Sequence, residues 1–460
     1  MHIRKYDFDY GRRKLMEKAA MGVGSVGALG SVWPMIAKAD TPDISKAYPE
    51  ELTSIEANTK GKIKPGDTIN ADNVEHVKHL LDEVELHQIQ NDGREIQIGE
   101  GTSNMEDLFE APYLEATLKY GGQAKFGDDG NLWHKGEKGV PAKGGMAFPE
   151  PKTALEAQAN INYSWGRHNY SQYAIPDWDI GPSGNIEYQY EFVWSELQVT
   201  ARPDGSVWDE RNDKLRYQSV FFTDPNEQAG TSFLSIWYYD QRRFPDLIGY
   251  LPAFKRVREY PTNQRFEPLV PGITVFLSAA WSAGDPMLTW GEYKIVGREP
   301  MLGDHVGGWS RDKDNPNWGP GVHGGPKGNT YWNVGMQLVP ECIVIDTKPV
   351  KYPRSPVGRR RTWLDARNGA PVRHIDYDNK DKPWKGWHFG LSKYPGMKTG
   401  MGHEPWSWHW VESHDIQANR MSRFYQAKEV SGGYQSAWDT DNDDAYNKYL
   451  TSQAMRRLGA

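Results

Sequence analysis

Cysteine is almost absent. Only Cys342 carries a thiol in 460 residues, so no intramolecular disulfide can form, and neither a cysteine-rich zinc site nor a cysteine-ligated iron–sulfur cluster can be built. Hydrophobic residues make up only 38 %, low for a globular chain. A basic excess is missing as well: the formal net charge of −7 argues against a nucleic-acid backbone as partner. No phosphate loop, dinucleotide fingerprint, nucleophile elbow or kinase signature occurs. The Gly-Gly pairs at 121–122, 144–145, 307–308, 324–325 and 432–433 lack the strand-to-helix context of a phosphate cradle and read as turns. Beyond the first forty residues no run reaches the ~18 apolar residues that a membrane-spanning helix needs.

What the chain has instead is aromatic rings: 19 Trp, 24 Tyr and 14 Phe. Each buries about 150–250 Å², which compensates for the scarce aliphatics and permits a large core. Glycine (47) and proline (30) are frequent, which favours turns and strands over a helical bundle. Length allows about three domains or one large β domain.

Residues 1–39 read as an export signal. Arg4, Lys5, Arg12, Arg13, Lys14 and Lys18 precede a Gly/Ala-rich apolar run, Ala19 to Ile36, and then Ala37-Lys38-Ala39, a small-x-small cleavage site. The pair Arg12-Arg13 and the weakly hydrophobic run fit a twin-arginine signal cleaved near Ala39. The expected destination is the periplasm. Residues 40–67, with Pro42, Pro49 and Pro65, read as an extended arm, and 68–460 as a single β domain.

Within that domain, Val74, Val77, Leu80 and Leu81 predict a helix capped by Asn70 or Asp72. Further helices are expected near Met105–Phe109, over 153–160 and over 442–458. The clearest period is two: Ile186, Tyr188, Tyr190, Phe192 and Trp194 alternate with polar neighbours, and Leu197 and Val199 continue out of phase, as across a bulge. Strands are also expected at 215–223, 233–239, 273–278, 293–299, 330–339, 343–350 and 420–428. A hairpin is expected at 361–378 through Asn368-Gly369. The fold class is mainly β (α+β): a large curved antiparallel sheet or half-open barrel of eight or more strands, with covering helices near both chain ends. The Gly-rich loop 301–329, with Trp309 and Trp318, is long enough to be a lid.

Three clusters compete for function. His403, His409 and His414, with Glu404 and Glu412, have metal-ligating chemistry, but a strand would put His414 on the face opposite His403 and His409. Glu187, Glu191 and Glu196 read as a solvated polar face. Arg359-Arg360-Arg361 can dock an anionic partner, and reads more simply as a charged strand edge. The aromatic row differs. Tyr and Trp carry polar tips that need partners when buried, so Tyr188, Tyr190, Phe192, Trp194, Trp237, Tyr238 and Trp332 are the candidates for lining a ligand cavity, with a packed aromatic core as the alternative.

Four stretches carry a resemblance: 69–81; Ile236-Trp237-Tyr238-Tyr239 with 251–258; Trp290-Gly291-Glu292-Tyr293 to Glu299; and Trp363-Leu364-Asp365-Ala366-Arg367 through Trp384-Lys385. The tail 449–459 fits too. In these the chain resembles exported bacterial proteins of unknown function that are outer-membrane lipoprotein-sorting-like and similar to the periplasmic lipoprotein carriers. The resemblance implies an apolar half-barrel holding lipid-like cargo, with an inner-membrane transporter or an outer-membrane protein as partner. It brings no catalytic residue. The expectation is a carrier without cofactor, with an exported metal enzyme using 403–414 and a structural adaptor as the alternatives.

Overall fold

The computed structural model describes Asp43 and residues 47–261, 265–305 and 315–459. The expected signal at 1–39 and Trp309 of the Gly-rich loop lie outside these residues. One sheet of 16 strands organises the chain. Its long members are β1 (Tyr170–Ile180), β2 (Ile186–Gln198), β3 (Lys214–Asp224), β4 (Ser232–Tyr238), β5 (Asp246–Leu251), β6 (Arg256–Tyr260), β7 (Gly291–Gly303), β8 (Gly335–Lys348), β9 (Val357–Asp365), β10 (Pro371–Asp378), β11 (Pro383–Lys393), β12 (Trp406–Asp415) and β13 (Arg420–Tyr425). The order runs β8-β9-β10-β11-β12-β13-β1-β2-β3-β4-β5-β6, with β7 also paired to β8. Pairing is antiparallel except where Ile96–Ile98 joins β8 in parallel. The sheet is not closed, and β6 is an open edge.

The helices are α1 (Glu83–Asn91), α2 (Ala111–Tyr120), α3 (Ala154–Tyr163), α4 (Asn442–Tyr449) and α5 (Ser452–Leu458). The mainly β class and the helices near both ends are as the sequence implies. Several local expectations change. The helix expected over 70–81 resolves into 3-10 turns at 74–76 and 78–80, and the α-helix starts one turn later, where Asp82 accepts the Val84 and Glu85 N–H groups. Asp82 is the better cap because its carboxylate takes two orphan amides at once. Residues 50–53 and 55–58 form short helical turns rather than an extended arm, with Leu52 and Ile55 buried and Ser54 capping the second. Residues 273–278 are not a strand. They belong to a strap, 265–290, that crosses the inner face of the sheet and turns through a 3-10 segment at 277–282.

The phase slip in β2 is not a bulge. Its pairing runs without interruption from Phe192 to Gln198 against β3 and from Tyr170 to Asp179 of β1. The slip marks a change in what is covered. Tyr190 and Phe192 pack on the inner face, whereas Leu197 and Val199 pack on the outer face with Ala445, Leu450 and Met455 from the C-terminal helices. Both faces of this half of the sheet are buried, so alternation fades.

Candidate ligand-binding cavity

The strap does not fill the inner face completely. Between it and the sheet lies a narrow apolar cavity of about 630 Å³, its mouth included. The sheet contributes Ile175, Phe192, Trp194 and Phe222 from β1, β2 and β3, and Trp387, Trp408 and Phe424 from β11, β12 and β13. The strap contributes Leu269, Ile273, Phe276, Leu277 and Trp281. It is pinned by the Arg265–Asp285 ion pair at 2.5 Å, by the Thr274 N–H donating to Ser422 Oγ at 2.7 Å, and by Thr274 Oγ1 donating to the Ser413 carbonyl at 2.8 Å. At Trp281 and Ser282 the strap takes left-handed backbone angles, φ 50° and 60°, which cost bulky residues energy and hold the indole against Trp408 at 5.2 Å between ring centroids.

A second, more polar chamber, about 510 Å³ with its mouth included, shares Tyr173, Trp281 and Trp408 with the first. Its own walls include Ser164, Trp165, Gly166 and Arg167 from the α3–β1 loop, and Trp406 and Ser407 from β12. Gly166 allows the loop to sit against Glu196, since a Cβ there would meet Glu196 Oε1 at 2.9 Å. Burial raises the Glu196 carboxyl to about 7, against the pull of Arg216 and the hydrogen bond from Gln218.

Of the sequence candidates, Phe192 and Trp194 line the first chamber. Tyr190 is in the same cluster, its hydroxyl donating to the Pro271 carbonyl of the strap at 2.8 Å. Tyr188 stacks on Tyr190 but is 41 % exposed. Trp237, Tyr238 and Trp332 are elsewhere. Trp237 is packed under Arg216 in a cluster with Tyr163 and Tyr239. Tyr238 donates to Asp246 on a partly exposed face, and Trp332 sits in the core beneath the N-terminal segment. Tyr173, Trp281 and Trp387 carry no such signal in the sequence, because segments far apart in the chain bring them together. Trp406, Trp408 and Trp410 did carry a signal, as tryptophans alternating in one strand.

The three histidines do not share a point. His403 pairs with Glu110, His409 with Asp304 at 2.8 Å, and His414 with Gln88 at 2.9 Å. Burial lowers His409 and takes His414 down to about 4. Among the described residues one cluster has metal-ligand spacing: Glu110, His168 and Asp439. His168 Nδ1 faces Asp439 at 3.0 Å, and its Nε2 faces the Trp406 carbonyl at 3.2 Å and Glu110 at 3.7 Å. Burial would lower this imidazole, but Glu110 and Asp439 overcome it and raise it to about 9. Protonated, the ring donates from Nδ1 to Asp439 and from Nε2 to the Trp406 carbonyl, and with Glu110 the three groups form an ion-pair clamp. The arginine triplet is not a strand edge: β9 is interior, Arg360 is buried on Asp376 at 2.7 Å, and Arg359 and Arg361 pair with Asp346. Glu187 pairs with Arg420 and Glu191 accepts from Ser431 N–H, while Glu196 is buried rather than solvated.

Residues 68–456 match the family described as a protein of unknown function, DUF1329. The chain belongs to that family. Both chambers of this DUF1329 protein lie within the matched residues. Among solved structures it is similar to an outer membrane lipoprotein-sorting protein domain from Vibrio parahaemolyticus, at 14 % identity and TM-score 0.41, over 66 % of this chain and 97 % of the other. A DUF1329 family protein from Desulfovibrio piger is similar at 14 % identity and TM-score 0.41, over 64 % and 95 %. A LolA superfamily protein from Nitrosomonas europaea follows at 10 % identity and TM-score 0.36, over 65 % and 99 %. No curated protein matches the chain. Among the described residues no helix of this DUF1329 chain is long and apolar enough to cross a membrane.

Proposed function

We propose that this DUF1329 protein is a periplasmic binding or carrier protein for a lipid or similar hydrophobic compound, working with a membrane transporter. The observation that carries the reading is the apolar chamber between strap and sheet, whose walls are aromatic and aliphatic side chains throughout. Such a chamber has little chemistry except reversible burial, which is worth roughly 25 cal/mol per Å² of apolar area. The sequence signal at 1–39 supports a periplasmic location.

Native mass spectrometry of gently purified protein tests this directly. A co-purified hydrophobic mass that is lost on organic extraction, and restored by added lipid, supports a carrier. Protein that emerges free of ligand and binds no fluorescent fatty acid overturns it.

A further inference from the structure

The unpaired polar atoms around the two chambers are all of one kind. Trp194, Trp387 and Trp408 line the apolar chamber, and each has a buried indole N–H with no acceptor. Trp165 and Arg167 line the polar chamber, and Trp165 Nε1 and Arg167 Nη1 are likewise buried without a partner. No lining residue of either chamber has a buried oxygen left without a donor. A buried unmet donor costs about 1–3 kcal/mol, more when it is charged, which makes Arg167 the costliest of these to leave unmet.

Arg167 concentrates this demand. It is 8 % exposed and stands at φ 62°, in the left-handed region. Its guanidinium lies between the rings of Tyr113 and Trp406, at 4.8 and 5.1 Å, while Nη2 donates to the Asn368 carbonyl at 2.9 Å. Those contacts fix the plane and leave Nη1 over. Among the described residues no carboxylate forms an ion pair with it. The carboxylate that acts on it electrostatically, Asp365, gives its oxygens to Arg367 and His305. The result is a buried cation, held rigid, without its own anion, in the wall of the polar chamber, which shares Tyr173, Trp281 and Trp408 with the apolar one.

Building on the carrier reading above, we propose that the ligand is a single-chain amphiphile ending in an anionic oxygen group, its chain in the apolar chamber and its carboxylate or phosphate at Arg167. The anion neutralises the guanidinium by a charge-assisted hydrogen bond. An amine head has only donors to offer and meets a cation.

Delipidated protein titrated by tryptophan fluorescence with palmitate, hexadecyl phosphate, hexadecanol and hexadecylamine, below their aggregation limits, tests the assignment. Palmitate or hexadecyl phosphate binding about tenfold or more tighter than hexadecanol is the expected result, and the tighter of the two identifies the head group. Arg167→Gln should remove that preference, and Arg167→Lys should restore part of it. Hexadecanol binding as tightly as both anions overturns the assignment and leaves the carrier reading standing, and this ranking in the wild type needs no variant to fold. If none of the four binds, the carrier reading fails and the head-group assignment falls with it.

Discussion

Trp194 packs against Trp165 with ring centroids 5.5 Å apart and planes tilted by 36°, one ring lining the apolar chamber and the other the polar one. The boundary between the two chambers is therefore aromatic on both sides at this point. Trp194→Ala removes a wall rather than a fully packed core ring, because Trp194 is only partly buried. Binding of a C16 ligand should weaken by about 1–3 kcal/mol, with a stability loss below the ~3–5 kcal/mol of a core aromatic truncation. Trp237→Ala is the contrast. That ring is 1 % exposed under Arg216 and lines neither chamber, so the full core penalty is expected with no change in affinity per folded molecule. Thermal melts with and without ligand check both. Equal loss of stability in the two variants would show that Trp194 is an ordinary core residue.

The His168 clamp sets an alkaline limit. Its pKa, about 9 in the folded chain, is raised above the ordinary 6.5 by Glu110 and Asp439. A raised basic group contributes stability fully below the unfolded value and loses it as pH climbs through the folded one. Stability should fall between pH 6.5 and about 9 by a few kcal/mol. His168→Asn should be less stable at pH 6 and lack that alkaline slope. Urea melts at pH 6, 7.5 and 9 measure it. A wild-type curve flat across this window would mean that the imidazole is neutral.

Asp82 sets the acid limit. Burial would raise its carboxyl, but His388 at 2.9 Å, Arg373 at 3.0 Å and the Val84 N–H hold it at about 2. The contribution is complete above the ordinary pKa near 3.8 and disappears as pH falls through about 2. Asp82→Asn removes this acid slope. It also leaves Arg373 with one carboxylate fewer and weakens the cap of α1, so a cost of about 3–5 kcal/mol at neutral pH is expected. Denaturant melts of both proteins from pH 2 to 7 test the pairing, and superimposable curves would refute it.

The parts legible in the sequence were those that depend on near neighbours. Tyr190, Phe192 and Trp194 show their shared face because three aromatic rings recur at every second position. The helix-favouring run 153–160 announces α3, which the structure caps at Thr153 and extends to Tyr163. β1 was illegible for a physical reason: with both faces covered it alternates nothing, and it carries Ser171, Gln172, Asp177 and Asp179 in the interior along with Pro176. The strap was misread as a strand because Ile273, Val275 and Leu277 alternate. Their apolar side chains face the sheet, while the Thr274 N–H donates to Ser422 of β13 and its carbonyl accepts from Lys385 of β11 rather than joining a ladder. Arg167 gave no signal at all. Its meaning lies in what is missing around it, and the residues that should have paired with it are spread from Tyr113 to Trp406.

Glu196 gives a test of the packing behind the polar chamber that is independent of any ligand. Its carboxyl is buried beside Trp165 and Gly166, accepts from Gln218 Nε2 at 2.8 Å, and is raised by burial to about 7. A carboxyl raised in the folded state acts in the opposite sense to Asp82. Below pH 4.5 both states are protonated and it contributes nothing. Between pH 4.5 and about 7 the unfolded chain ionises while the folded chain holds its proton, so stability declines with pH, and above about 7 the decline stops. The total is about 3 kcal/mol for this one group, at ~1.4 kcal/mol per pH unit. Glu196→Gln keeps an acceptor for Gln218 and cannot ionise. Its stability should match the wild type near pH 4.5 and exceed it by a few kcal/mol at pH 8, unless the buried Arg216 guanidinium needs the carboxylate as its counter-charge. That competing effect has its own signature: the variant would then be the less stable protein at pH 8. Curves that run parallel from pH 4.5 to 8 would sink both accounts and place the Glu196 carboxyl in contact with water.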